Sequence, residues 1–437
     1  MSSYRGYVAA ILLMCTLILG VGTGGPQTGT ARAAGKTTVT VWLPDYCSPT
    51  TQNWFKNTFE PAFAKKYPQL SVHMVYVDWS VYDQKIATAF AGGTAPDVIE
   101  TGASYVPDLV IKHQIRSIDP YLPAWGHKKD FYPGAWANTV WEGHNYGVPY
   151  LSGVRGLVYR KSMLKAAGIA RPPQTWDELY ADAIKLTKRD AKGTITQLGF
   201  ATSPGSPVVY FQQWLAYLEE AGGTVATPDG RKATINNQAG IATTAFFAKL
   251  FQAMTPGGVG LSNKLVAPFE SGKVAMQISD ASISGEVLRY NPKILNDVGV
   301  AVPMVGPGPH GKRVSVAYND WLAITTQSKN PDAAWQWLSF ATQPDYLGGY
   351  DRTCGEIPTN KIAVQAPWVT SNPIHKQFTE NVFPYAVAHP VFPNIVQMWN
   401  IVGTEVEKTA YNKESPAEAM KRAEDASNAV LAGTATH

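Results

Sequence analysis

The chain has 437 residues, 45% of them hydrophobic and 16% charged, so it is long enough to bury a core in more than one lobe. Its formal net charge of +4 is small for this length, and no block of like charges occurs. Both facts argue against a protein that binds nucleic acid.

The N-terminal segment has the pattern of an export signal. Arg5 precedes an apolar run over residues 8–19, and Ala31-Arg32-Ala33 supplies a small-residue cleavage site. The run is too short for a membrane span. We therefore expect residues 1–33 to be a signal peptide and the mature protein to be extracytoplasmic, in the periplasm or at the outer face of the cell membrane. Attachment of a lipid anchor to Cys15 stays open as an alternative.

The first part of the mature chain alternates between strand and helix patterns. Strands are predicted at residues 39–42, 71–77 and 98–99, and helices at residues 55–63 and 82–90. Phe55, Phe59 and Phe63 repeat every fourth residue and define one helix face, and Pro61 is expected to kink that helix. This alternation indicates an α/β lobe with a mostly parallel sheet.

The stretch YGVPYLSGVRGLVY, residues 146–159, interrupts its strand pattern with Pro149, Gly153 and Gly156. Proline fixes its own φ, and glycine lets the backbone bend or approach a neighbour closely. From these residues alone, the stretch is either an ordinary loop between two strands or a hinge.

The second part of the chain contains further helices with recognisable starts and ends. Thr175 with Glu178 and Ser415 with Glu418 form capping boxes, and Pro331 follows the N-cap residue Asn330. Helices are also predicted around residues 214–218 and at 239–251, and strands at 298–302 and 322–325.

Several enzyme signatures are absent from the sequence. It contains no HExxH, no G-x-S-x-G and no Cys/His metal spacing. Residues 306–312, GPGPHGK, approach a phosphate-binding loop, but Arg313 replaces the required Ser or Thr. We expect no metal, no cofactor and no catalytic residue.

Carboxylates and aromatic side chains are the stronger candidates for a binding site. Carboxylates lie beside predicted strand ends or turns at Asp45, Glu100, Asp280, Asp320 and Glu356. A glycosidase would need two of them at a defined separation, whereas a sugar can also donate its hydroxyls to carboxylates without reacting. Trp and Tyr can cover the apolar face of a sugar ring. Each carboxylate taken alone is better explained as an N-cap or as part of a solvated turn.

A wider resemblance favours the binding protein. The runs AGGTAPDVIE (91–100), RPPQTWDEL (171–179), FESGKVAM (269–276), SKNPDAAWQWLSF (328–340) and GEIPT (355–359) occur in this order around residues 146–159. In this order they resemble the extracellular sugar-binding subunits of ATP-driven importers, the maltose-binding-like family. The resemblance covers residues from about 39 to the C-terminus.

The resemblance implies a two-lobed periplasmic-binding-protein fold of type II, with discontinuous α/β lobes joined by a hinge. Each lobe would contain a mostly parallel sheet flanked by helices. Lobe 1 would comprise residues 36–149 and 304–353, and lobe 2 residues 150–303 and 354–437. It also brings the loop after the first strand and the loop before GEIPT toward one cleft. A Cys47–Cys354 disulfide and two unpaired buried thiols both remain open.

Carried over position by position, the resemblance implies a set of ligand contacts. These are Asp45, Tyr82, Glu100, Thr101, Ser104, Tyr150, Ser152, Tyr210, Trp214, Asp280, Ser282, Asn319, Asp320, Trp321, Arg352 and Trp399. Many relatives carry an aromatic residue near Asp280-Ala281-Ser282, and its absence here weakens the case for a long maltodextrin track.

The implied function is capture of a mono- or oligosaccharide by hinge closure, without an enzymatic step, for delivery to a membrane permease and its ATPase. A monomer is expected. Arg155 and Arg352 keep a polyol phosphate, such as glycerol phosphate, open as the ligand. A secreted glycoside hydrolase and a lectin-like adhesion protein also stay open as functions.

Overall fold

The computed structural model describes residues 35–201, 206–254 and 269–433. The predicted signal peptide, its cleavage site and Cys15 lie outside these residues. The described strands are β1 (Thr37–Pro44), β2 (Leu70–Val77), β3 (Val98–Gly102), β4 (Val140–Trp141), β5 (His144–Asn145), β6 (Gly147–Val154), β7 (Gly156–Arg160), β8 (Lys188–Arg189), β9 (Ile195–Ala201), β10 (Val274–Ser279), β11 (Val298–Val300), β12 (Ser315–Ile324) and β13 (Ala386–Ala388).

The helices surround two sheets. The described α-helices are α1 (Thr50–Trp54), α2 (Glu60–Lys66), α3 (Trp79–Ala91), α4 (Val106–Ile111), α5 (Leu122–Trp125), α6 (Pro133–Ala137), α7 (Lys161–Ala166), α8 (Trp176–Leu186), α9 (Pro207–Glu220), α10 (Gln238–Met254), α11 (Ile283–Tyr290), α12 (Pro331–Ala341), α13 (Pro344–Cys354), α14 (Pro367–Thr370), α15 (Pro373–Asn381), α16 (Ile395–Ala410) and α17 (Pro416–Ala432). None of these described helices is both long and apolar enough to cross a membrane.

Sheet I has the strand order β13-β12-β3-β1-β2, and β6 also pairs with β12. β1 runs parallel to both β2 and β3, as the strand–helix alternation predicts. β12 is antiparallel to β3 and β6. The core beside this sheet includes Phe55, Phe59 and Phe63, which are all buried.

Around these phenylalanines the helix is not simply kinked at Pro61. A turn of π-helix over Phe55–Phe59 separates α1 from α2, and Pro61 lies in the first turn of α2. Proline is tolerated there because the first N–H groups of a helix have no intrahelical partner. The three rings still share one buried face.

Sheet II has the order β11-β7-β10-β9-β8 and is mixed rather than mostly parallel. Only β9 and β10 pair in parallel, whereas β7 runs antiparallel to β10 and to β11. Because β7 continues directly from β6 after a single residue, its direction is set by the passage from sheet I. It is not set by a strand–helix–strand crossover. The mostly parallel arrangement predicted for this half is therefore corrected.

The stretch 146–159 connects the two sheets. β6 belongs to sheet I, β7 belongs to sheet II, and Arg155 is the one residue between them. A Cβ at Gly153 would lie 2.6 Å from the carbonyl oxygen of Tyr318, and one at Gly156 would lie 2.8 Å from Val382. The chain passes between the sheets again over residues 301–314, from β11 to β12. The residue limits of the two lobes stay a proposal.

Of the three predicted N-caps, those at Thr175 and Ser415 are present, whereas Asn330 makes no side-chain hydrogen bond to the start of α12. Ser415 and Glu418 complete a capping box, whereas the Glu178 carboxylate accepts a hydrogen bond from the Gln174 N–H instead. The hydroxyls of Thr175 and Ser415 accept hydrogen bonds from the backbone N–H groups of Glu178 and Glu418, at 3.3 Å in each case. Such caps satisfy N–H groups that a helix leaves without a partner. They fix the start of α8 and of α17.

Candidate ligand-binding site

Glu100 and Asp320 lie on neighbouring strands at the centre of sheet I. In the antiparallel pair β3–β12, Glu100 lies opposite Leu322, and Asp320 lies opposite Gly102. The two carboxyls are therefore diagonal neighbours on one face of the sheet. Glu100 is fully buried and Asp320 is 8% exposed.

Asp320 is held by the loop that follows β1. The Tyr46 hydroxyl donates a hydrogen bond to Oδ2 of Asp320 at 2.9 Å. Burial raises the pKa of Asp320 to about 6, and the negative charges of Asp280 and Asp83 act in the same direction. The Tyr46 hydrogen bond and the Arg155 charge lower this pKa.

Glu100 is enclosed by tyrosines. The Tyr350 hydroxyl lies 3.4 Å from Oε2 of Glu100, and the Tyr350 ring stacks on Tyr150 with ring centres 4.5 Å apart. Burial raises the pKa of Glu100 well above its ordinary value, and the charges of Asp320 and Asp351 raise it further. Such surroundings favour the protonated form of a carboxyl.

Sheet II contributes a further carboxyl to the same region. Asp280 directly follows β10, and both the hydroxyl and the backbone N–H of Ser282 donate to its Oδ1. Glu356, which follows α13, is 5% exposed. Its pKa is raised well above the ordinary value by burial, and then by the charges of Asp280 and Asp351.

We call Glu100, Asp280, Asp320, Asp351 and Glu356 the acidic cluster. Asp320 pairs with Leu151 near the end of β6, and Ser279, which directly precedes Asp280, pairs with Gly156 at the start of β7. The cluster therefore lies where the two sheets meet, which is where a two-lobed binding protein holds its ligand. Among the described residues, no group of three or more His, Cys, Asp or Glu side chains could hold a metal ion.

Three stacked rings flank this region, and we call Tyr318, His389 and Trp399 the aromatic corner. His389 stacks on Tyr318 with ring centres 5.4 Å apart, and Trp399 meets both rings edge-on. Burial lowers the pKa of His389 to about 4, so its imidazole is neutral at pH 7. The Ser104 hydroxyl lies 3.4 Å from Nε2 of His389. The corner joins an apolar surface to neutral hydrogen-bonding groups.

A second group of rings lies around Tyr46, the residue that donates a hydrogen bond to Asp320. Trp79 is 40% exposed, and it stacks with Tyr46 at 5.8 Å and with Tyr82 at 5.4 Å between ring centres. The Tyr82 hydroxyl donates to the backbone oxygen of Trp42 at 3.0 Å. Tyr82 therefore positions Trp79 rather than offering its own hydroxyl.

A disulfide joins two segments that carry site residues. Cys47 and Cys354 are bonded, with their Cα atoms 5.3 Å apart. Cys47 follows Tyr46 directly, and Cys354 precedes Glu356 by two residues. The bond therefore ties the loop after β1 to the segment after α13, the two loops that the resemblance brings together.

The structure brings together about half of the residues that the sequence predicts as ligand contacts. Those in or beside the acidic cluster and the aromatic corner are Glu100, Ser104, Tyr150, Asp280, Ser282, Asp320 and Trp399. Thr101 and Ser152 are buried in strand pairs, opposite Trp321 and Asn319 respectively. Asp45 and Arg352 are exposed.

Three of the predicted aromatic contacts lie within the hydrophobic core. Tyr210 and Trp214 are fully buried on α9, where Trp214 donates to the Thr244 hydroxyl at 2.9 Å and Tyr210 packs against Phe247 and Phe251. Trp321 is 1% exposed in the core beside sheet I. Burial by itself does not exclude a ligand contact, since Tyr150 and Trp399 are 0% and 3% exposed, and the three rings stay predicted contacts.

Some residues of the region are absent from the predicted contacts. These are Tyr46, Trp79, Tyr318, Tyr350, Asp351, Glu356 and His389. The sequence could have identified Glu356 as a site residue, because it lies within the GEIPT run and is one of the candidate carboxylates. The sequence gives weaker evidence for Tyr46, which directly follows Asp45 at the end of the first strand.

The fold has two sheets surrounded by helices, and carboxyl groups from both sheets lie where the sheets meet. This arrangement is typical of a two-lobed ligand-binding protein. The chain belongs to the family of bacterial extracellular solute-binding proteins, whose pattern matches residues 48–347. This membership confirms the family and the fold class that the sequence resemblance predicted.

Individual relatives agree with this family. A binding protein of Brucella abortus is 26% identical over 85% of this chain and 88% of its own length. The diacetylchitobiose-binding protein DasA of Streptomyces coelicolor is 26% identical over 98% of this chain and 99% of its own length. An ABC transporter solute-binding protein from Thermotoga lettingae, solved with α-D-tagatose, has a TM-score of 0.77 at 24% identity, covering 91% of this chain and 100% of that one.

Proposed function

We propose that this protein captures a carbohydrate outside the cytoplasm and delivers it to the membrane permease and ATPase of an ABC importer. The observation that carries the proposal is that Asp280, which follows β10 of sheet II, and Asp320 on β12 of sheet I both lie beside the passage from β6 to β7, and that the charge of Asp280 raises the pKa of Asp320. Carboxylates are acceptors only, so a ligand placed between the sheets must supply donors, and a polyhydroxylated ring does so from several directions.

Hinge closure is the proposed mechanism, and periplasmic binding proteins are a well-known case of it. A ligand that forms hydrogen bonds to both sheets stabilises the closed form by its differential affinity for that form. The permease then recognises the closed form. Export by residues 1–33 and a monomeric state are part of this proposal.

The site is proposed to bind without catalysis. Glu100 and Asp320 are held by tyrosine hydroxyls, which suits fixed acceptors for a ligand. The names of two relatives, one binding diacetylchitobiose and one solved with tagatose, support a carbohydrate as the ligand. A phosphorylated polyol is disfavoured, because the region offers carboxyls rather than cations, and neither Arg155 nor Arg352 forms an ion pair with the acidic cluster.

The test is calorimetric titration of the mature protein against a panel of neutral mono- and disaccharides, amino sugars and glycerol phosphate. The proposal expects saturable binding of at least one carbohydrate and no release of reducing sugar. Tight binding of a solute that is not a carbohydrate, with no carbohydrate bound, would overturn it.

A further inference from the structure

The segment that follows β3 contacts the core of the other sheet. β3 ends at Gly102, and α4 then packs Val106 and Leu109 into the core beside sheet I. Asp108 lies between these two residues and is half-buried. None of the described lysine, arginine or histidine side chains forms an ion pair with it. Its carboxylate is bound instead by the start of a helix.

That helix is α16, which packs Ile395, Met398 and Trp399 into the core around sheet II. The backbone N–H of Asn394, the N-cap residue of α16, donates to Oδ1 of Asp108 at 2.9 Å. The first N–H groups of a helix have no intrahelical partner, and the helix dipole places positive partial charge at this end. The Asp108 carboxylate therefore gains both a donor and a favourable electrostatic field.

The donor is positioned entirely by its own core. The Asn394 backbone is left-handed, with φ of 62°, a conformation that asparagine adopts more readily than most residues. Its side-chain amide donates to the backbone oxygen of Val430 on α17 at 3.3 Å. The N–H group is thus fixed by α16 and α17, and only the acceptor comes from the core beside sheet I.

A second contact joins the same two segments. The Ser104 hydroxyl lies 3.4 Å from Nε2 of His389, whose Nδ1 lies 2.8 Å from the backbone oxygen of Pro390. Because that oxygen can only accept, the proton of the neutral imidazole is on Nδ1, and Nε2 accepts from Ser104. Neither contact involves Arg155 or residues 301–314, through which the chain passes between the sheets.

We propose that the Asp108 carboxylate and the Asn394 N–H group form a latch between the lobes, and that Asp108 raises ligand affinity without touching the ligand. Asp108 belongs to the proposed lobe 1 and Asn394 to the proposed lobe 2. Hinge motion is absorbed in the connecting segments and separates surfaces that meet outside them. The latch therefore forms on closure and adds to the stability of the closed form. This inference rests on the proposed function and makes Asp108 a positioning residue.

The test is Asp108→Ala in the mature protein, measured by calorimetry and stopped-flow fluorescence with maltose, mannobiose, diacetylchitobiose and tagatose. Affinity is expected to fall about tenfold for each sugar that the wild type binds, because a hydrogen bond to a charged group is lost from the closed form alone. The loss should appear as faster dissociation with an association rate within twofold of wild type, since the ligand enters the open form. The order of preference among the sugars should not change.

Two further variants make the result decisive. Asp108→Asn keeps the shape of the side chain and a neutral acceptor, so its affinity should fall about threefold. Asp345→Ala, which removes an exposed aspartate from the first turn of α13, is the matched control and should keep wild-type rates. A wild-type dissociation rate in folded Asp108→Ala or Asp108→Asn protein would overturn the latch and leave the proposed function standing. A loss confined to one sugar would overturn it as well, because Asp108 would then contact that ligand. Absence of binding by every carbohydrate to the wild type would overturn both.

Discussion

The Tyr46 hydroxyl donates to Oδ2 of Asp320 at 2.9 Å and thereby joins the loop after β1 to the central strand β12. This contact fixes the orientation of the Asp320 carboxyl on the face that it shares with Glu100. The loop itself is held by the Cys47–Cys354 bond. Covalent and polar constraints thus act together to preorganise one acceptor of the site, which reduces the ordering cost of binding.

Asp320→Asn is expected to weaken ligand binding roughly 10- to 100-fold, because a hydrogen bond to a charged acceptor contributes about 1.5–3 kcal/mol. The measurement is calorimetry with the tightest ligand of the panel. Asp345→Asn, at an exposed position in the first turn of α13, is the matched control and should retain full affinity. Equal affinities in the two variants would remove Asp320 from the site.

Ligand affinity is expected to rise as the pH increases from about 5 to 7. The pKa of Asp320 is raised to about 6, so this carboxyl becomes ionised over that interval. The ionised form is the better acceptor for ligand O–H or N–H groups. Titrations at several pH values should show this rise in the wild type and a flatter profile in Asp320→Asn. An affinity that falls with pH would contradict the assignment.

Glu220 is expected to make the protein less stable as the pH rises. This buried carboxyl accepts a hydrogen bond from the Trp176 indole at 2.6 Å, and burial raises its pKa from 4.5 to about 8. Its contribution to the free energy of unfolding is fully present below pH 4.5 and is lost as the pH rises through 8. Between these values the loss should be roughly 1 kcal/mol per pH unit.

The variant Glu220→Gln separates this contribution from that of other groups. Glutamine keeps an acceptor for the indole but does not ionise, so urea unfolding should show a shallower decline of stability with pH than the wild type. An identical pH profile for the two proteins would mean that Glu220 is not the responsible group.

Removal of the disulfide is expected to lower both stability and affinity. The bond closes a long stretch of chain, since its partners are 307 positions apart, and loss of a native disulfide typically costs about 2–5 kcal/mol. The double variant Cys47→Ser with Cys354→Ser should therefore unfold at lower urea concentration. It should also bind its ligand more weakly under native conditions, because Tyr46 and Glu356 lie beside the bond. Unchanged affinity would limit the bond to a purely structural role.

Trp214→Phe tests whether this predicted contact stabilises the core or binds the ligand. The change removes the indole hydrogen bond to Thr244 and part of a buried ring, so a loss of roughly 1–3 kcal/mol in unfolding free energy is expected. Ligand affinity should stay within twofold of the wild-type value. A large loss of affinity with little loss of stability would restore Trp214 as a ligand contact.

Local sequence patterns predict the strands and helices around the site more accurately than they predict which side chains the fold brings together there. Glu100, Asp280 and Asp320 are predicted site carboxylates, and the structure places all three in the acidic cluster. Trp321 is also a predicted contact, but alternation along a strand assigns it to the face of β12 opposite Asp320, and the structure places it in the core on that face.

Other features depend on contacts that no local pattern contains. Tyr318 and His389 are 71 residues apart and meet because β12 pairs with β13. Tyr210 and Trp214 lie in the core beside α9, a position that the sequence does not reveal, because an apolar helix face has the same pattern whether it faces a core or a ligand. The mixed order of sheet II likewise follows from the passage through Arg155, which strand propensity cannot indicate.

Small-angle X-ray scattering of the mature protein tests the central claim most directly, namely that a carbohydrate binds between the two sheets and draws the lobes together. The protein is measured alone and with a saturating amount of the tightest carbohydrate from the panel. Closure predicts a smaller radius of gyration in the bound state for the wild type and a recovery of the unbound value in Asp320→Asn at the same ligand concentration. Identical scattering of the free and saturated wild-type protein would contradict the account.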